Sequence, residues 1–396
     1  MKSALRKTPG VAVIFTLSIL SWHPDCGARD IKADTAADIK NALGSAGPGD
    51  TILVKPGEYD MGGSISTGKN GTKDKPVTFA CEGKKGYAIL KVSGQIGMRV
   101  KSKFWVIRGI HIEGNPGSTE ATVFMDGPQG CSDILMTDCK ISGSAQHGMK
   151  GARTREKAAD NITVEYTELF DTKATGFDLV SGDNWVLRRN YVHDYGKGGG
   201  VTYGIFLKGG GKNGIIDGCF VDGKRQATTV GISFGGGLTG QKWLPLGADG
   251  KVGPEHDKGV AMNNIVINTS DVAYHSNNGA NCKFFNNLAW NCKSFQRQAS
   301  FPNDPVVSDN VIAGNTKSGT SESKDNVAPA KDWFVNADES DFRLTDAGVK
   351  ALAGKGQAAG EVTTDYFGTK RDPAKPVLGP VLPDAKETTK WIDRRK

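Results

Sequence analysis

The sequence predicts an all-β protein folded as a right-handed parallel β-helix, a solenoid with a short helix capping its N-terminal end. One unit occurs twice between Gly176 and Gly223: an apolar strand, a turn rich in Gly and Asn, a second strand and another turn. Repeats of roughly 20–30 residues with short strands are typical of solenoids, in which each coil packs only on its neighbours. The 53 glycines suit many tight turns. We therefore expect stacked apolar residues inside and any functional site on the outside.

Further units open at polar residues that each begin a strand, namely Asp133, Asn161, Asn184 and Asn213. Asn tolerates the left-handed backbone conformation, and its side chain can hydrogen-bond along a stack of coils. The apolar pattern repeats in the same phase after each opening. The sequence therefore predicts that Asn161, Asn184 and Asn213 stack at one turn of consecutive coils.

The first residues, Met1 to Ala28, have the pattern of a secretory signal peptide. A basic start is followed by Val11–Leu20, an apolar stretch too short for a comfortable membrane span, and by small residues before Arg29. No later segment has the length and apolarity of a membrane span. We therefore expect a secreted or periplasmic protein, with a signal peptide (1–28), a β-helix (29–315), and a linker, final strand and C-terminal covering segment (316–396).

Several elements along the chain fit this plan. The segment Asp34–Leu43 has helical spacing, and an amphipathic helix there can cover the apolar end of a solenoid. The longest interruption of the repeat is Leu238–Gly259, and loops of this length are uncommon unless functional or disordered. Thr316–Lys331 is predicted to be a linker, and Asp341–Leu344 the last strand.

Six cysteines follow the signal peptide, an even number that permits disulfides in a secreted protein. Cys139 and Cys219 hold equivalent places in their units, with two further coils between them. At about 4.8 Å per coil they are too far apart to bond. We expect most of the cysteines to be small apolar fillers of the interior stack.

The formal net charge of +7 makes a polyanionic partner plausible, although solvated surface Lys and Arg explain it equally well. The sequence contains no long Lys/Arg run and no nucleic-acid-binding motif. We therefore expect neither DNA nor RNA as a partner.

One column of residues stands out when the coils are aligned on their glycines. The alignment places Lys150, Asp178, Phe206 and Ser233 at the same position of successive coils. Because side chains alternate along a strand, Phe206 and Lys208 should face outward. We expect Gly209–Gly211 to leave open space beside Lys208.

Cationic residues near this column suggest a binding groove for a polyuronate. Lys150 lies in the column, Arg188 and Arg189 lie on the coil before Lys208, and Arg225 follows in the next turn. A row of such cations can pair with one carboxylate per sugar. Trp243 in the long loop is placed to stack on a sugar ring.

Cleavage of a uronate by β-elimination needs neutralisation of the carboxylate, a base for the C5 proton and an acid for the leaving oxygen. Lys208 is our candidate base, since neighbouring cations and desolvation can free a Lys of its proton. Tyr203 is a candidate acid, and His256 is expected to fold over the groove from the long loop. The alternative is that Lys208 and His256 are solvated surface residues and that Tyr203 only packs in a turn.

Calcium is the candidate cofactor. Asp171, Asp194 and Asp222 end successive second strands, and with Asp178 nearby such carboxylates could bind Ca²⁺. A ladder of turn-forming Asp residues accounts for the same pattern without a metal. The sequence contains no EF-hand loop and no His/Cys spacing typical of zinc.

The N-terminal cap, the strands and the coils to about Asn315 resemble the secreted parallel β-helix polysaccharide lyases. The segment FLKGGGKNGIIDGCFVDG is similar to the part of the chondroitinase B/alginate lyase family that carries a Lys base, which implies that role for Lys208. That family's acidic calcium ligands are replaced here by Val201 and Tyr203, and its Arg on the next coil is missing from Gly231–Phe234.

A second resemblance concerns calcium. GFDL is similar to the calcium-binding stretch of the family 9 pectate lyases, which implies that Asp178 is a ligand. The paired Asp residues that precede that stretch are replaced by Ala174–Thr175. The resemblances imply a monomeric lyase that cleaves an acidic polysaccharide. A non-catalytic glycan-binding protein and a glycoside hydrolase or epimerase remain the alternatives, the hydrolase needing a carboxylate pair such as Asp178 with Asp194 or Asp222.

Overall fold

The computed structural model describes residues 27–83, 86–224, 226, 228–236, 244–246, 250–298, 306–308, 310–311, 322–357, 359–383 and 385. Short strands dominate them, with helices α1 (Ala36–Ser45) and α2 (Asp346–Leu352) near the two ends. The strands in chain order are β1 (Asp30–Lys32), β2 (Thr51–Val54), β3 (Gly57–Asp60), β4 (Ile65–Ser66), β5 (Val77–Cys81), β6 (Ala88–Lys91), β7 (Ile96–Val100), β8 (Lys103–Arg108), β9 (Ile110–Glu113), β10 (Ala121–Asp126), β11 (Ser132–Thr137), β12 (Lys140–Ser144), β13 (His147–Ala152), β14 (Asp160–Glu165), β15 (Glu168–Thr172), β16 (Phe177–Val180), β17 (Val186–Arg188), β18 (Tyr191–His193), β19 (Thr202–Lys208), β20 (Gly211–Lys212), β21 (Ile215–Asp217), β22 (Phe220–Asp222), β23 (Thr229–Phe234), β24 (His256–Asp257), β25 (Val260–Met262), β26 (Ile265–Ile267), β27 (Val272–Asn277), β28 (Gly279–Ala280), β29 (Lys283–Phe285), β30 (Leu288–Trp290), β31 (Lys293–Gln298), β32 (Val306–Ser308), β33 (Glu322–Lys324), β34 (Phe334–Asn336) and β35 (Asp341–Leu344).

Three long parallel sheets run along the molecule and form the faces of a right-handed parallel β-helix, as the sequence predicts. Sheet A contains β1, β2, β5, β8, β11, β14, β17, β21, β25, β29, β32 and β33; sheet B contains β3, β6, β9, β12, β15, β18, β22, β26 and β30; sheet C contains β4, β7, β10, β13, β16, β19, β23, β27 and β31. Between β2 and β32 consecutive strands belong to different sheets, so each coil there contributes one strand to each face. A short fourth sheet, β20–β24–β28, joins three of the coils.

Helix α1 caps the N-terminal end of the solenoid, close to the predicted segment. Thr35 and Asp38 form a capping box, in which each side chain accepts a hydrogen bond from the backbone of the other. Ile39 and Leu43 on the inner face are fully buried and belong to the main core. The apolar end of the stack is thereby covered, as the amphipathic pattern predicts.

The predicted ladder of Asn residues at the start of the sheet A strands is confirmed. The amide of Asn161 donates to Asp133 at 3.0 Å, that of Asn184 to Asn161 at 2.9 Å, and that of Asn213 to Asn184 at 3.1 Å. All four residues have left-handed backbone angles, with φ of 56–60°. A short polar side chain at this turn therefore satisfies both the backbone and the next coil.

A second Asn ladder lies inside the solenoid, where the chain turns from sheet A to sheet B. The amide oxygen of each Asn accepts the backbone N–H of the equivalent residue one coil earlier, at 2.9 Å for Cys219 to Asn264 and for Asn264 to Asn287. This ladder lets polar side chains occupy the interior without losing hydrogen bonds. Cys139 and Cys219 occupy the same column and are fully buried, and Cys81, Cys131, Cys219 and Cys282 are free thiols. Their predicted role as apolar fillers of the stack fits this placement.

The end of the β-helix differs from the sequence prediction. Strand β33 pairs with β32 in sheet A, so the solenoid extends into the segment that we expected to be a linker. The final strand is found as β35, paired antiparallel with β34. The C-terminal segment packs on the outside of sheet B, where Phe220, Ile265 and Leu288 join its apolar residues in a separate cluster. The predicted signal peptide lies outside the described residues, apart from its last two positions.

The described part of the chain contains no helix with the length and hydrophobicity that a membrane span requires.

Candidate functional site on the outer face of sheet C

The column predicted from the glycine alignment exists on sheet C. Lys150 pairs with Asp178, Asp178 with Phe206, and Phe206 with Ser233 in the registers of β13, β16, β19 and β23. Ile205 and Leu207 belong to the main core, whereas Phe206 lies in a separate cluster outside it. The alternation of side chains along β19 therefore places Phe206 and Lys208 outside the coil, as predicted.

A buried carboxylate organises this face. Asp178 is only 5% exposed, and its Oδ1 lies 3.2 Å from the Nζ of Lys208. Its Oδ2 lies 3.7 Å from the Nζ of Lys150 and 3.5 Å from the Nε2 of His147. Glu120 completes the group, with its Oε1 3.6 Å from the Nζ of Lys150. We call these five residues the Asp178 cluster.

The cations of the cluster determine the charge state of Asp178. Burial alone raises the pKa of a carboxyl group, but Lys208, His147 and Lys150 outweigh burial and hold the pKa of Asp178 below its usual value. Asp178 is therefore a carboxylate at neutral pH. Its negative charge orients the two ammonium groups that reach the surface, since Lys208 is 19% and Lys150 is 24% exposed.

His147, unlike Asp178, is uncharged at neutral pH. Burial lowers its pKa to about 4, against the pull of Asp178, with Lys150 and Lys208 contributing in the same direction as burial. The imidazole is therefore neutral near pH 7. Its Nδ1 is buried without a hydrogen-bond partner among the described residues, while Nε2 faces the carboxylate. The arrangement favours the tautomer in which Nε2–H points at Asp178.

Glu120 anchors the N-terminal side of the cluster. Its Oε2 accepts a hydrogen bond from Gln95 at 2.8 Å. This bond, with Lys150 and His147 nearby, lowers the pKa of Glu120 despite some burial. Each ammonium of the cluster therefore has a carboxylate at its side, and the five residues form one connected network.

Tyr203 lies on the same strand as Lys208, and Phe206 stands between them. The rings of Tyr203 and Phe206 stack with centroids 3.8 Å apart, and the Nζ of Lys208 lies 4.3 Å from the Phe206 centroid. Burial raises the pKa of Tyr203, with Asp271 and Asp178 adding to the effect. The phenol is therefore a proton donor at neutral pH.

The expectation of open space beside Lys208 is wrong. A Cβ atom on Gly209 would meet Val180 at 2.8 Å, and one on Gly210 would meet Pro245 at 2.3 Å. These glycines have φ of +76° and +84°, so they allow a tight turn and close packing. The turn is held by Glu255, which accepts the N–H of Gly209 at 2.8 Å. Pro245 nevertheless shows that part of the long loop adjoins the end of β19.

His256 does not reach the groove. It forms β24, stacks on Phe234 with ring centroids 5.0 Å apart, and is 1% exposed. Its Nε2 accepts the backbone N–H of Gly214 at 3.3 Å, and burial lowers its pKa to about 3. The chain returns to the interior stack before the long interruption ends, so His256 cannot donate a proton to a polymer outside.

The two arginines lie on another face. Arg188 belongs to sheet A, where it lies 3.8 Å from Glu165 and 3.6 Å from Asp217, and Arg189 follows at the corner towards sheet B. The sequence places them next to the Lys208 coil, but side chains of one coil point in three directions. The expected single row of cations is therefore wrong for both. Arg225 and Trp243 lie outside the described residues.

The surroundings of Asp178 do not fit Ca²⁺. Both oxygens of Asp178 face positively charged or N–H groups, whereas Ca²⁺ needs six to eight oxygen ligands. Asp171 and Asp194 have left-handed backbone angles and are paired with Lys197 and Lys224 at 2.8 Å. Asp171 is the last but one residue of β15, and Asp194 directly follows β18. Among the described residues no three His, Cys, Asp or Glu side chains converge to hold a metal. These aspartates are turn-forming residues.

The sequence marks His147 as a titratable candidate without a role at the site, and it does not point to Glu120. His147, Thr175 and Tyr203 occupy the same position in three successive coils of sheet C. His147 therefore lies two coils before Tyr203, in the same column. The signal was present in the glycine alignment, since His147 precedes Gly148 as Tyr203 precedes Gly204. Glu120 could not be found in this way, because it precedes β10 and reaches Lys150 only through the folded turn.

Comparison with known proteins addresses the fold. No protein-family model matches the chain, and no curated protein matches it. Among solved structures, the pectate lyase Pel9A superposes with a TM-score of 0.65 at 13% identity, covering 91% of this chain and 96% of its own. An alginate lyase from Paenibacillus sp. str. FPU-7 has a TM-score of 0.50 at 17% identity, covering 76% and 99%. A family 136 lacto-N-biosidase from Eubacterium ramulus has a TM-score of 0.46 at 10% identity, covering 76% and 68%. The chain therefore has the right-handed parallel β-helix fold of the pectate lyase and the alginate lyase.

Proposed function

We propose that the protein is a lyase that cleaves an acidic, uronate-containing polysaccharide by β-elimination on the outer face of sheet C. The observation that carries the proposal is the Asp178 cluster, which holds two partly exposed ammonium groups around one buried carboxylate. The fold supports it, since the solved structures that share this fold include a pectate lyase and an alginate lyase.

Lys150 is the residue that receives the uronate carboxylate. Its ammonium is partly exposed and has two carboxylate partners at 3.6 and 3.7 Å, distances at which neither bond is tight. A substrate carboxylate can therefore join Lys150 without breaking a short hydrogen bond. Neutralising this carboxylate makes the C5 proton acidic, which is the first requirement of β-elimination.

Lys208 and Tyr203 complete the reaction. Lys208 releases its own proton to solvent before it acts as the base. It then takes the C5 proton, the C4–O bond breaks, and a double bond forms between C4 and C5. Tyr203 gives its proton to the leaving oxygen, a role that suits a phenol kept protonated by burial. Both groups touch the ring of Phe206, which keeps them on the same stretch of the surface.

Asp178 and His147 are positioning residues in this scheme. Asp178 is too buried to touch a polymer, and it fixes both lysines from below. His147 adds an N–H donor towards the same carboxylate, and its buried Nδ1 prevents it from acting on a substrate.

A hydrolase is less well supported. Glycoside hydrolysis needs one carboxyl group whose pKa is raised, so that it acts as an acid, yet the pKa values of Asp178 and Glu120 are both lowered. The other expected partners, Asp194 and Asp222, follow or end strands of sheet B, so they do not face Asp178. A non-catalytic glycan-binding protein remains as an outcome of the test.

The test is incubation with alginate, pectate, glycosaminoglycans and glucuronan, followed by ultraviolet absorbance for the new double bond and an assay for reducing ends. We expect one polymer to give both signals and Lys208→Ala to give neither. Lys212→Ala is the matched control, because this Lys lies four residues on, is exposed and pairs with Asp183 at 3.4 Å. Reducing ends without absorbance would indicate a hydrolase, and binding without either signal a glycan-binding protein.

A further inference from the structure

A second set of groups suited to a ligand lies at the corner between sheets A and B. An open groove of about 540 Å³ separates this corner from the C-terminal segment. Its lining includes Tyr166, Arg188 and Arg189 from the coils, and Thr363 and Phe367 from the C-terminal segment. Aromatic rings, hydroxyl groups and two guanidinium groups therefore face one space.

The backbone at this corner is unusual in two of the coils that line the groove. Each coil has a residue with left-handed angles there, and other coils use Gly109, Asp138, Gly218, Asn263 and Asn286. Tyr166 and Arg189 adopt the same conformation, with φ of 48° and 51°. Bulky residues are disfavoured at positive φ, so strain of this kind is often retained for function.

The guanidinium of Arg189 has no hydrogen-bond or ion-pair partner among the described residues. It lies against Gly368, where an added Cβ would meet its Nη2 at 2.9 Å. Gly218, one coil on, leaves room for its stem, since a Cβ there would meet the Arg189 Cγ at 3.4 Å. Glycines on both sides thus permit the close approach that holds this cation in the groove.

The neighbouring charges leave Arg189 available. Arg188 faces Glu165 and Asp217, and Asp217 also accepts the amide of Asn263 at 3.1 Å. The carboxylate in the groove is therefore already engaged, and Arg189 is the cation without a counter-charge. Guanidinium pairs best with a planar oxyanion such as a carboxylate, in a bidentate geometry.

We propose that this groove is a second binding site for the acidic polysaccharide, in which Arg189 binds a sugar carboxylate and Tyr166 contacts the sugar ring. The choice of ligand rests on the proposed function, but the site is separate from the Asp178 cluster, which lies on another face. A polymer held there would remain attached to the protein while sheet C acts on another part of the chain.

The test measures binding by NMR titration in the Lys208→Ala protein, so that no substrate is consumed. The probes are trimers of galacturonate, mannuronate and guluronate, with inorganic sulfate as a separate arm. We expect one trimer to bind and Arg189→Gln to weaken it about 10- to 100-fold, the usual loss for a charge-assisted hydrogen-bond pair. Arg108→Gln is the matched control, because Arg108 is exposed in the same column of sheet A as Arg188, three coils earlier.

Three outcomes overturn the second site: no trimer binds, sulfate binds but no trimer does, or Arg189→Gln binds as tightly as its parent. Melting temperatures of the variants show whether the fold is intact, and Arg189→Lys should recover part of the affinity by keeping the charge. A trimer that depends on Arg189 in a protein that cleaves no polymer would support the second site and contradict the lyase. A protein that cleaves a polymer but whose Arg189→Gln variant binds the trimer unchanged would support the lyase and contradict the second site.

Discussion

Two polar columns on the outside of the β-helix differ in how their side chains find partners. In the ladder of Asn161, Asn184 and Asn213, each side chain bonds to the same type of residue one coil away. In the sheet C column the residue type changes at every coil. Asp178 is paired there with Lys150 from the coil before it and with Lys208 from the coil after it, and Lys208 lies in a different column. Repetition along a column indicates a structural role, since the fold needs the same group at each coil. A change of type with buried charge indicates a site, since the fold does not require it.

A substitution in the interior Asn ladder should have the largest effect on stability. It tests the claim that a residue type repeated along a column has a structural role. Asn287 donates to Ala261 and Asn310 at 3.0 Å and accepts two bonds from Asn264. Asn287→Ala leaves several buried groups without partners, so we expect a loss of about 3 kcal/mol in the free energy of unfolding, measured by denaturant titration. A loss well under 1 kcal/mol would show that the ladder does not stabilise the stack.

The pH dependence of stability is the second effect, and it comes from the site column. The pKa of His147 is about 4 in the folded protein and 6.5 in the reference state. Between these values the unfolded chain binds a proton that the folded chain does not, so stability falls as pH falls from 6.5 towards 4. The shift corresponds to roughly 3 kcal/mol.

His147→Gln should remove this contribution, leaving a shallower decline that His111 and His256, whose pKa values are also lowered by burial, still produce. Unfolding free energies at several pH values measure the difference. Parallel curves for the variant and its parent would mean that burial does not hold His147 neutral.

Asp178→Asn should have a smaller effect on stability, about 1–2 kcal/mol near pH 7, because Lys208 and Lys150 can turn towards solvent. The pKa of Asp178 is lowered in the folded state, so its contribution is present above about pH 3.8 and is lost as pH falls through the folded value. The difference between variant and parent should therefore shrink in acid. Asp183→Asn, in a more exposed pair with Lys212, should change stability by under about 0.5 kcal/mol.

The exposed ladder gives a smaller effect on stability than the Asp178 cluster. Asn184→Ala removes two side-chain hydrogen bonds and leaves an alanine at φ 60°, where its Cβ is disfavoured and no polar group compensates. We expect the free energy of unfolding to fall by about 1 kcal/mol. Asn184→Gly accepts the backbone angle and should lose less. Thermal unfolding of the two variants compares them, and a Gly variant less stable than the Ala variant would contradict the role given to the left-handed turn.

Most of the fold could be predicted from the sequence because the same pattern of apolar and turn residues recurs in each coil of a solenoid. The phase of the apolar residues defined the coils, and the same alignment placed Lys150, Asp178, Phe206 and Ser233 in one column. The rest of the Asp178 cluster was harder to predict, because His147 reaches Asp178 and Glu120 reaches Lys150 from different positions of their coils. A repeat defines the column of a residue but not the direction and length of every neighbouring side chain.

The errors have related causes. Arg188 and Arg189 were expected in the same row as Lys208 because they are close in sequence, yet a coil turns a corner within a few residues. Gly209 and Gly210 were taken as a sign of free space, whereas here they permit close packing against Val180 and Pro245. The strand β24 was hidden in the long interruption, because two residues are too few to show a period.

The catalytic rate of Lys208 variants tests the central proposal most directly. On the polymer that the panel identifies, we expect Lys208→Ala to lower kcat by about 10²–10⁴-fold, the usual cost of removing a general base. Lys208→Arg should be nearly as inactive, because a guanidinium does not release its proton near neutral pH. If Lys208 only attracts the polymer, Ala will raise KM with kcat largely unchanged and Arg will work nearly as well as Lys, which would contradict the assignment of Lys208 as the base.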